Sequence, residues 1–202
     1  MRFKHKKGFT LVELLVVIAI IAILAAVVAP NAFKAIEKSK VSRLVGDCKA
    51  VEAATLHYYG DTGQWPRIIG TGQTNKETYL KAPSESGITG VNGWNGPYLE
   101  RWPKNPFNSG GEESEFNYQL DYRKIGSNNN NLVLEISLNG VSNSKGIADM
   151  LDKTIDNTDG ASKGKIQWQG SNTSWVTWTI VENAENVKRG TGAGSNMAEG
   201  HD

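Results

Sequence analysis

The sequence predicts an α+β fold in which one long N-terminal helix packs on a small antiparallel sheet. Two patterns carry that expectation: an apolar run that passes straight into an amphipathic helical stretch, and later segments whose apolar residues recur at every second position. The 202 residues are 39% hydrophobic and 21% charged, which suits one globular domain plus one special segment rather than two large domains or a disordered chain.

The helix begins in a segment with a basic start. Arg2, Lys4, Lys6 and Lys7 precede Gly8-Phe9-Thr10-Leu11-Val12-Glu13, and sixteen consecutive apolar residues follow from Leu14 to Ala29, closed by Pro30. With Leu11 and Val12 the run approaches the ~20 residues that cross a hydrocarbon core at ~1.5 Å each. Basic residues ahead of it place the N-terminus on the cytoplasmic side and everything after Pro30 outside. A cleaved secretory signal fits poorly: its apolar region is shorter and ends in an A-x-A-like site, which does not occur between Leu14 and Ala29. A plain single-span anchor explains the length but has no use for Glu13, because an acid at that depth is costly unless paired or neutralised. An alternative reading of Glu13 is a helix-start acid facing the positive end of the macrodipole.

The residues Lys7-Gly8-Phe9-Thr10-Leu11-Val12-Glu13-Leu14-Leu15-Val16-Val17-Ile18-Ala19-Ile20 resemble the class III signal of type IV pilins and type II secretion pseudopilins. The resemblance implies a type IV pilin-like fold and cleavage by a prepilin peptidase between Gly8 and Phe9, with methylation of the new Phe9 amine. It implies assembly through Phe9, Glu13 and Pro30 into a homo-oligomeric helical filament that serves adhesion, motility or DNA uptake. The implied partners are that peptidase, an assembly ATPase, an inner-membrane platform protein and, before assembly, the membrane itself. The implied place is a single-pass cytoplasmic membrane protein that becomes a cell-surface filament, or a periplasmic one if the chain is instead a major pseudopilin of a type II secretion system. The cut agrees with the chemistry of the acid. It creates a cationic amine four residues from Glu13, and a carboxylate packed in an apolar bundle needs a positive partner, for which a neighbour's Phe9 amine is the nearby candidate.

The expected organisation is a leader over residues 1–8, an apolar helix half over 9–30, an amphipathic half over 31–60, a globular domain over 61–181 and a flexible tail over 182–202. In the second half Leu44, Cys48, Val51, Thr55 and Tyr58 share one helical face while Lys34, Lys38, Lys40, Arg43, Asp47, Lys49 and Glu52 supply the rest. Pro30 either kinks the helix or lets it melt locally. Gly60, followed by Pro66, reads as the helix stop. Residues 67–111 read as a long loop region with a short helix near 75–80, and within it residues 93–107 resemble the segment leading into the sheet of major pseudopilins and several pilins.

Phe116, Tyr118, Leu120 and Tyr122, then Leu132, Leu134, Ile136 and Leu138, alternate with other residues as half-buried strands do, and Gly126-Ser127 with four asparagines reads as the loop between them. Residues 145–155 read as a helix with Ile147, Met150, Leu151 and Ile155 on one side. A turn over 156–160 and a last hairpin, 166–169 with 174–181, complete the domain.

The 22 basic residues nearly balance the 21 acidic ones, so the chain shows no bulk attraction to nucleic acid. With four basic residues lost in the leader, a chain starting at Phe9 carries 18 against 21 and is mildly acidic. Cys48 is the single cysteine, so no intrachain disulfide forms and burial on the helix is expected. His5, His57 and His201 make no catalytic triad or metal cluster, no phosphate-binding glycine motif is present, and the chain reads as no enzyme. No cofactor is expected, with calcium the one open question. Asp152, Asp156 and Asp159 can offer oxygens, but their spacing misses the EF-hand pattern and a plain Asx turn is the preferred reading. Major pseudopilins use a calcium site in a loop that corresponds here to the region of Glu112, Glu113, Glu115 and Asp121, but no ligand pattern maps onto it, so no metal ligand is assigned.

Overall fold

The structure is a computed structural model that describes residues 8–66, 80, 91–107, 118–125, 128–168, 173–182 and 184, the backbone alone for 122–125 and 128–130. Helix α1 runs Leu11–Thr62. The chain divides into two compact units, Met1–Ser39 and Lys40–Asp202. The first unit is helical through Pro30, and its large apolar side chains stay exposed past the proline, at Phe33 and Ile36. The apolar surface therefore outlasts the proline expected to end it.

In the second unit Leu44, Cys48, Val51, Thr55 and Tyr58 are buried as the periodicity expects, joined by Val41, Val45 and Ala54. The helix does not stop at Gly60. It continues to Thr62, whose hydroxyl donates to the Tyr58 carbonyl, and Gly63 takes the left-handed conformation (φ 67°) with its N–H on the Tyr59 carbonyl at 2.8 Å. Gly63 is thus the residue that frees the chain from the helix.

Strands β1 (Tyr118–Ile125) and β2 (Asn128–Ser137) form an antiparallel hairpin, followed by α2 (Ser144–Ile155), β3 (Ile166–Trp168) and β4 (Trp175–Val181). The sheet order is β1-β2-β4-β3 with every pairing antiparallel. The registers build two rows of buried side chains across all four strands: Leu120, Leu134, Trp178 and Ile166, and beside it Tyr118, Ile136, Val176 and Trp168. These rows and the inner face of α1 from Val41 onward make one core. Direct cross-strand neighbours of this kind are the unit by which a sheet is stabilised.

Two expectations for β2 are corrected. Asparagines 128–131 belong to the strand and not to a loop, because they continue the ladder against β1. The strand is also not half-buried: Val133, Glu135 and Ser137 are as inaccessible as Leu132, Leu134 and Ile136. Its place between β1 and β4 takes both backbone edges out of water, and Asn105, from another segment, donates to the Ser137 carbonyl at its end. The expected short helix near 75–80 falls almost wholly outside the described residues, as do Glu112, Glu113, Glu115, Phe116 and the hairpin turn. Of the expected tail, Ala184 is buried against the core, and residues 185–202 lie outside the described residues.

Residues 91–107 lie against the end of α1 and against the sheet. Gly93 (φ 82°) lies directly over the Asp61 carbonyl, where a side chain would not fit. The Tyr98 hydroxyl donates to Asp61 at 2.8 Å and accepts the Asn95 N–H at 2.9 Å, and the Tyr98 ring meets Tyr58 edge-on. Farther on, Trp102 Nε1 donates to the Tyr118 carbonyl, and Asn105 Nδ2 to that of Ser137 at 2.6 Å.

Candidate processing and assembly segment

Gly8, Phe9 and Thr10 precede the first helical residue, and all three are exposed. A Cβ built on Gly8 meets nothing within 4 Å. The glycine therefore packs against none of the described residues. Phe9, 80% exposed, begins a helix surface of exposed large hydrophobics that reaches Ile36. The helix contains an 18-residue stretch long enough and apolar enough to cross a membrane, with none of that stretch buried.

Thr10 is the N-cap of α1 and Glu13 its third residue. The Thr10 hydroxyl accepts the Glu13 N–H at 3.2 Å, and Glu13 Oε2 accepts both the Thr10 N–H at 2.9 Å and the Thr10 hydroxyl at 2.8 Å. This is a reciprocal capping box. It gives donors to a carboxylate at the edge of an apolar helix and sets its charge against the positive helix end. The helix-start reading of Glu13 therefore describes the isolated chain, and a T-x-x-E signature ahead of the apolar run could have revealed it. Gly8 and Phe9 lie just ahead of the helix and Glu13 in its first turn, where its side chain is held by Thr10, and Pro30 sits seventeen residues farther along the helix.

Three comparisons bear on this segment. The family model described as the prokaryotic N-terminal methylation motif matches residues 3–29, and that described as PilW, C-terminal, matches residues 35–131. The type II secretion system core protein G of Pseudomonas aeruginosa is 34% identical over 108 residues, which cover 53% of this chain and 72% of that protein. The chain belongs to the type IV pilin and type II secretion pseudopilin family. Other members it resembles are the type IV major pilin protein PilE1 of Neisseria gonorrhoeae, 34% identical over 44% of this chain and 41% of that pilin, and the fimbrial protein EcpC of Eikenella corrodens, 43% identical over 30% and 40%. No solved structure matches the chain significantly. The methylation motif marks this prepilin for prepilin peptidase, and its long helix and four-stranded antiparallel sheet fit the pilin-like α+β fold.

The globular part of the prepilin carries no catalytic constellation among the described residues. His57 is exposed on α1. Cys48 is buried, and loss of hydration pushes its thiol far above the ordinary range, with the charges of Asp47 and Glu52 adding to the effect. Burial raises Tyr118 in the same way, and its hydroxyl donates to Asp47 at 3.2 Å. Asp152 is raised by burial, opposed by the Gly160 N–H and reinforced by Asp159 and Asp149.

Proposed function

We propose that the mature chain, cut between Gly8 and Phe9 and methylated on the Phe9 amine, is a structural subunit of a type IV pilus-like extracellular filament. The match of the methylation motif to residues 3–29, laid over a helix whose large apolar side chains are all exposed from Phe9 to Ile36, carries this reading. A surface of that size on a soluble chain is an interface, first with lipid and then with other copies of itself. During assembly the Phe9 amine of one subunit displaces Thr10 from the Glu13 carboxylate of its neighbour and sets the register between them. Partners of this reading are the peptidase, an assembly ATPase and an inner-membrane platform protein. The subunit begins as a single-pass cytoplasmic membrane protein and ends at the cell surface, and it carries out no reaction of its own.

A second reading, a major pseudopilin of a type II secretion system in a periplasmic filament, is favoured by coverage: protein G of Pseudomonas aeruginosa matches over 72% of its length, the two pilins over 41% and 40%. Against it stands length, since one alignment takes 53% of this chain and 72% of protein G, so this chain is the longer. Electron microscopy of sheared cell-surface material, with mass spectrometry of the N-terminus of its main component, separates the two. Long filaments starting at methylated Phe9 support the pilus. Processed protein that stays in the envelope supports the secretion system, and unprocessed protein overturns both.

A further inference from the structure

Between Glu13 and Lys34 no residue is charged. The stretch from Leu14 to Phe33 rises about 30 Å as a helix, the thickness of a hydrocarbon core. In the membrane stage of the proposed function, on which this inference rests, Glu13 then stands at one boundary of the core and Lys34 at the other. Phe33, 67% exposed, marks the exported boundary. Lys34 and Lys38 are exposed and lie one turn apart on the same face of α1, so both ammonium groups fall at the depth of the headgroups. Glu37 lies beside them, half-buried, and among the described residues no carboxylate forms an ion pair with either lysine. The next basic residues along the helix are engaged within the globular unit: Lys40 lies over the Phe107 ring at 5.6 Å, and Arg43 is 3.9 Å from Asp47. Lys34 and Lys38 have no such contact. Like charges four residues apart repel, and these two stand on the exported side, where basic residues weaken the charge asymmetry that orients the span.

We infer that Lys34 and Lys38 together bind the phosphate of an anionic phospholipid, in the leaflet on the exported side, while the subunit waits in the membrane. A lysine ammonium offers three donors to phosphate oxygens as a compact charge, and one phosphate set between the two removes their repulsion. A phospholipid brings its phosphate to the depth these lysines occupy. Its acyl chains cover the apolar surface below them, where Val27, two turns before Lys34 on the same face, is 66% exposed. The contact fixes how deep the span sits and holds Pro30 within the core rather than at its exit.

The test uses the full chain carrying Val27→Trp, a reporter about 10 Å below Lys34. It is reconstituted in phosphatidylcholine vesicles that contain either phosphatidylglycerol or phosphatidylcholine brominated on the acyl chains, at one low mole fraction. Quenching beyond that of the parent chain, which has no tryptophan before Trp65, reports the lipid beside residue 27. The basic leader, about 28 Å away along the helix, does not contribute. Lys34, Lys38 and Glu37 sum to a charge of +1, so phosphatidylglycerol is expected to be enriched there roughly fivefold. Lys34→Gln with Lys38→Gln in the same background is expected to abolish the enrichment. Equal quenching by the two lipids, or an enrichment that survives the double variant, overturns the lipid site and leaves the filament reading standing. No quenching at residue 27 by either lipid means that the helix is not in the bilayer, and overturns the membrane stage as well.

Discussion

Glu13 accepts two hydrogen bonds from Thr10 on a single carboxylate oxygen, at 2.9 and 2.8 Å, and returns its own N–H to the Thr10 hydroxyl. The same carboxylate is thus a helix cap in the isolated subunit and, in the proposed filament, the partner of a neighbour's Phe9 amine. These roles need different things of the side chain. The cap needs an acceptor, and the filament contact needs a charge.

Glu13→Gln separates them. Glutamine keeps an acceptor at the third helical position and completes a capping box, but it cannot neutralise an amine. Loss of a cap costs about 1 kcal/mol, whereas removing one member of a buried ion pair costs about 3–5 kcal/mol, more than a hundredfold in an equilibrium. Glu13→Gln is therefore expected to be processed normally and to lose filaments as severely as Glu13→Ala, read as filament yield in sheared material. Normal yield from the glutamine variant alongside failure of the alanine variant would reduce Glu13 to a helix cap.

Gly8→Leu is expected to leave the chain unprocessed. Because a Cβ at Gly8 meets nothing within 4 Å, the substitution costs the fold nothing, and any effect reports on the peptidase that must close around this peptide. Mass spectrometry of the N-terminus should find residues 1–8 still attached to essentially all of the membrane-bound protein. A variant chain that starts at Phe9 would refute the assignment of the cut.

Local period and composition made much of this fold legible in advance. Leu44, Cys48, Val51, Thr55 and Tyr58 form a buried helical face because a 3.6-residue period allows few other placements. What escaped depends on residues distant in sequence. Glu135 and Val133 are buried on a central strand, β2, whose place between β1 and β4 the order of strands along the chain does not reveal; pairing takes its edges out of water, and burial of both faces needs cover from residues that no local pattern announces. Asparagines 128–131 look like a loop by type and are held extended by their partners in β1. At the end of α1 two glycines compete for the stop, and Gly63 prevails over Gly60 because residues 91–107 pack on the turn at Asp61 and Thr62. In the candidate site the acid and the apolar run make the class of the segment readable, while the Thr10 cap is a local hydrogen-bond arrangement that a reading of Glu13 by its charge does not contain.

That packing yields a third prediction. Gly93 combines a left-handed backbone with a close approach to the Asp61 carbonyl, its Cβ position also falling 3.3 Å from Thr62 Cα. Gly140 is left-handed too, at φ 76°, with nothing within 4 Å of its Cβ position. Gly140→Ala therefore measures conformational strain by itself, about 1 kcal/mol, and Gly93→Ala adds a steric clash with backbone that cannot yield. Gly93→Ala should lower the melting temperature by at least twice as much as Gly140→Ala, roughly 4–8 °C against 2–4 °C. Equal shifts would mean that residues 91–107 are not held against the helix end.

The last prediction concerns the polar tie between helix and sheet. Glu52, on α1, accepts the indole N–H of Trp178 at 2.9 Å on one oxygen and pairs with the Lys165 ammonium on the other, while that ammonium also lies 5.0 Å from the Trp178 ring centre. Trp178 is buried, so Glu52→Ala leaves its N–H without an acceptor, a loss of about 1–3 kcal/mol. The ion pair adds less, because both side chains keep some exposure, 32% and 19%, and solvent screens them. Glu52→Gln retains an acceptor for the indole and gives up only the charge. The expected order of stability in urea unfolding is parent, then Glu52→Gln within about 1 kcal/mol of it, then Glu52→Ala lowest by a clear margin. A glutamine variant as unstable as the alanine one would transfer the main contribution from the Trp178 hydrogen bond to the Lys165 charge.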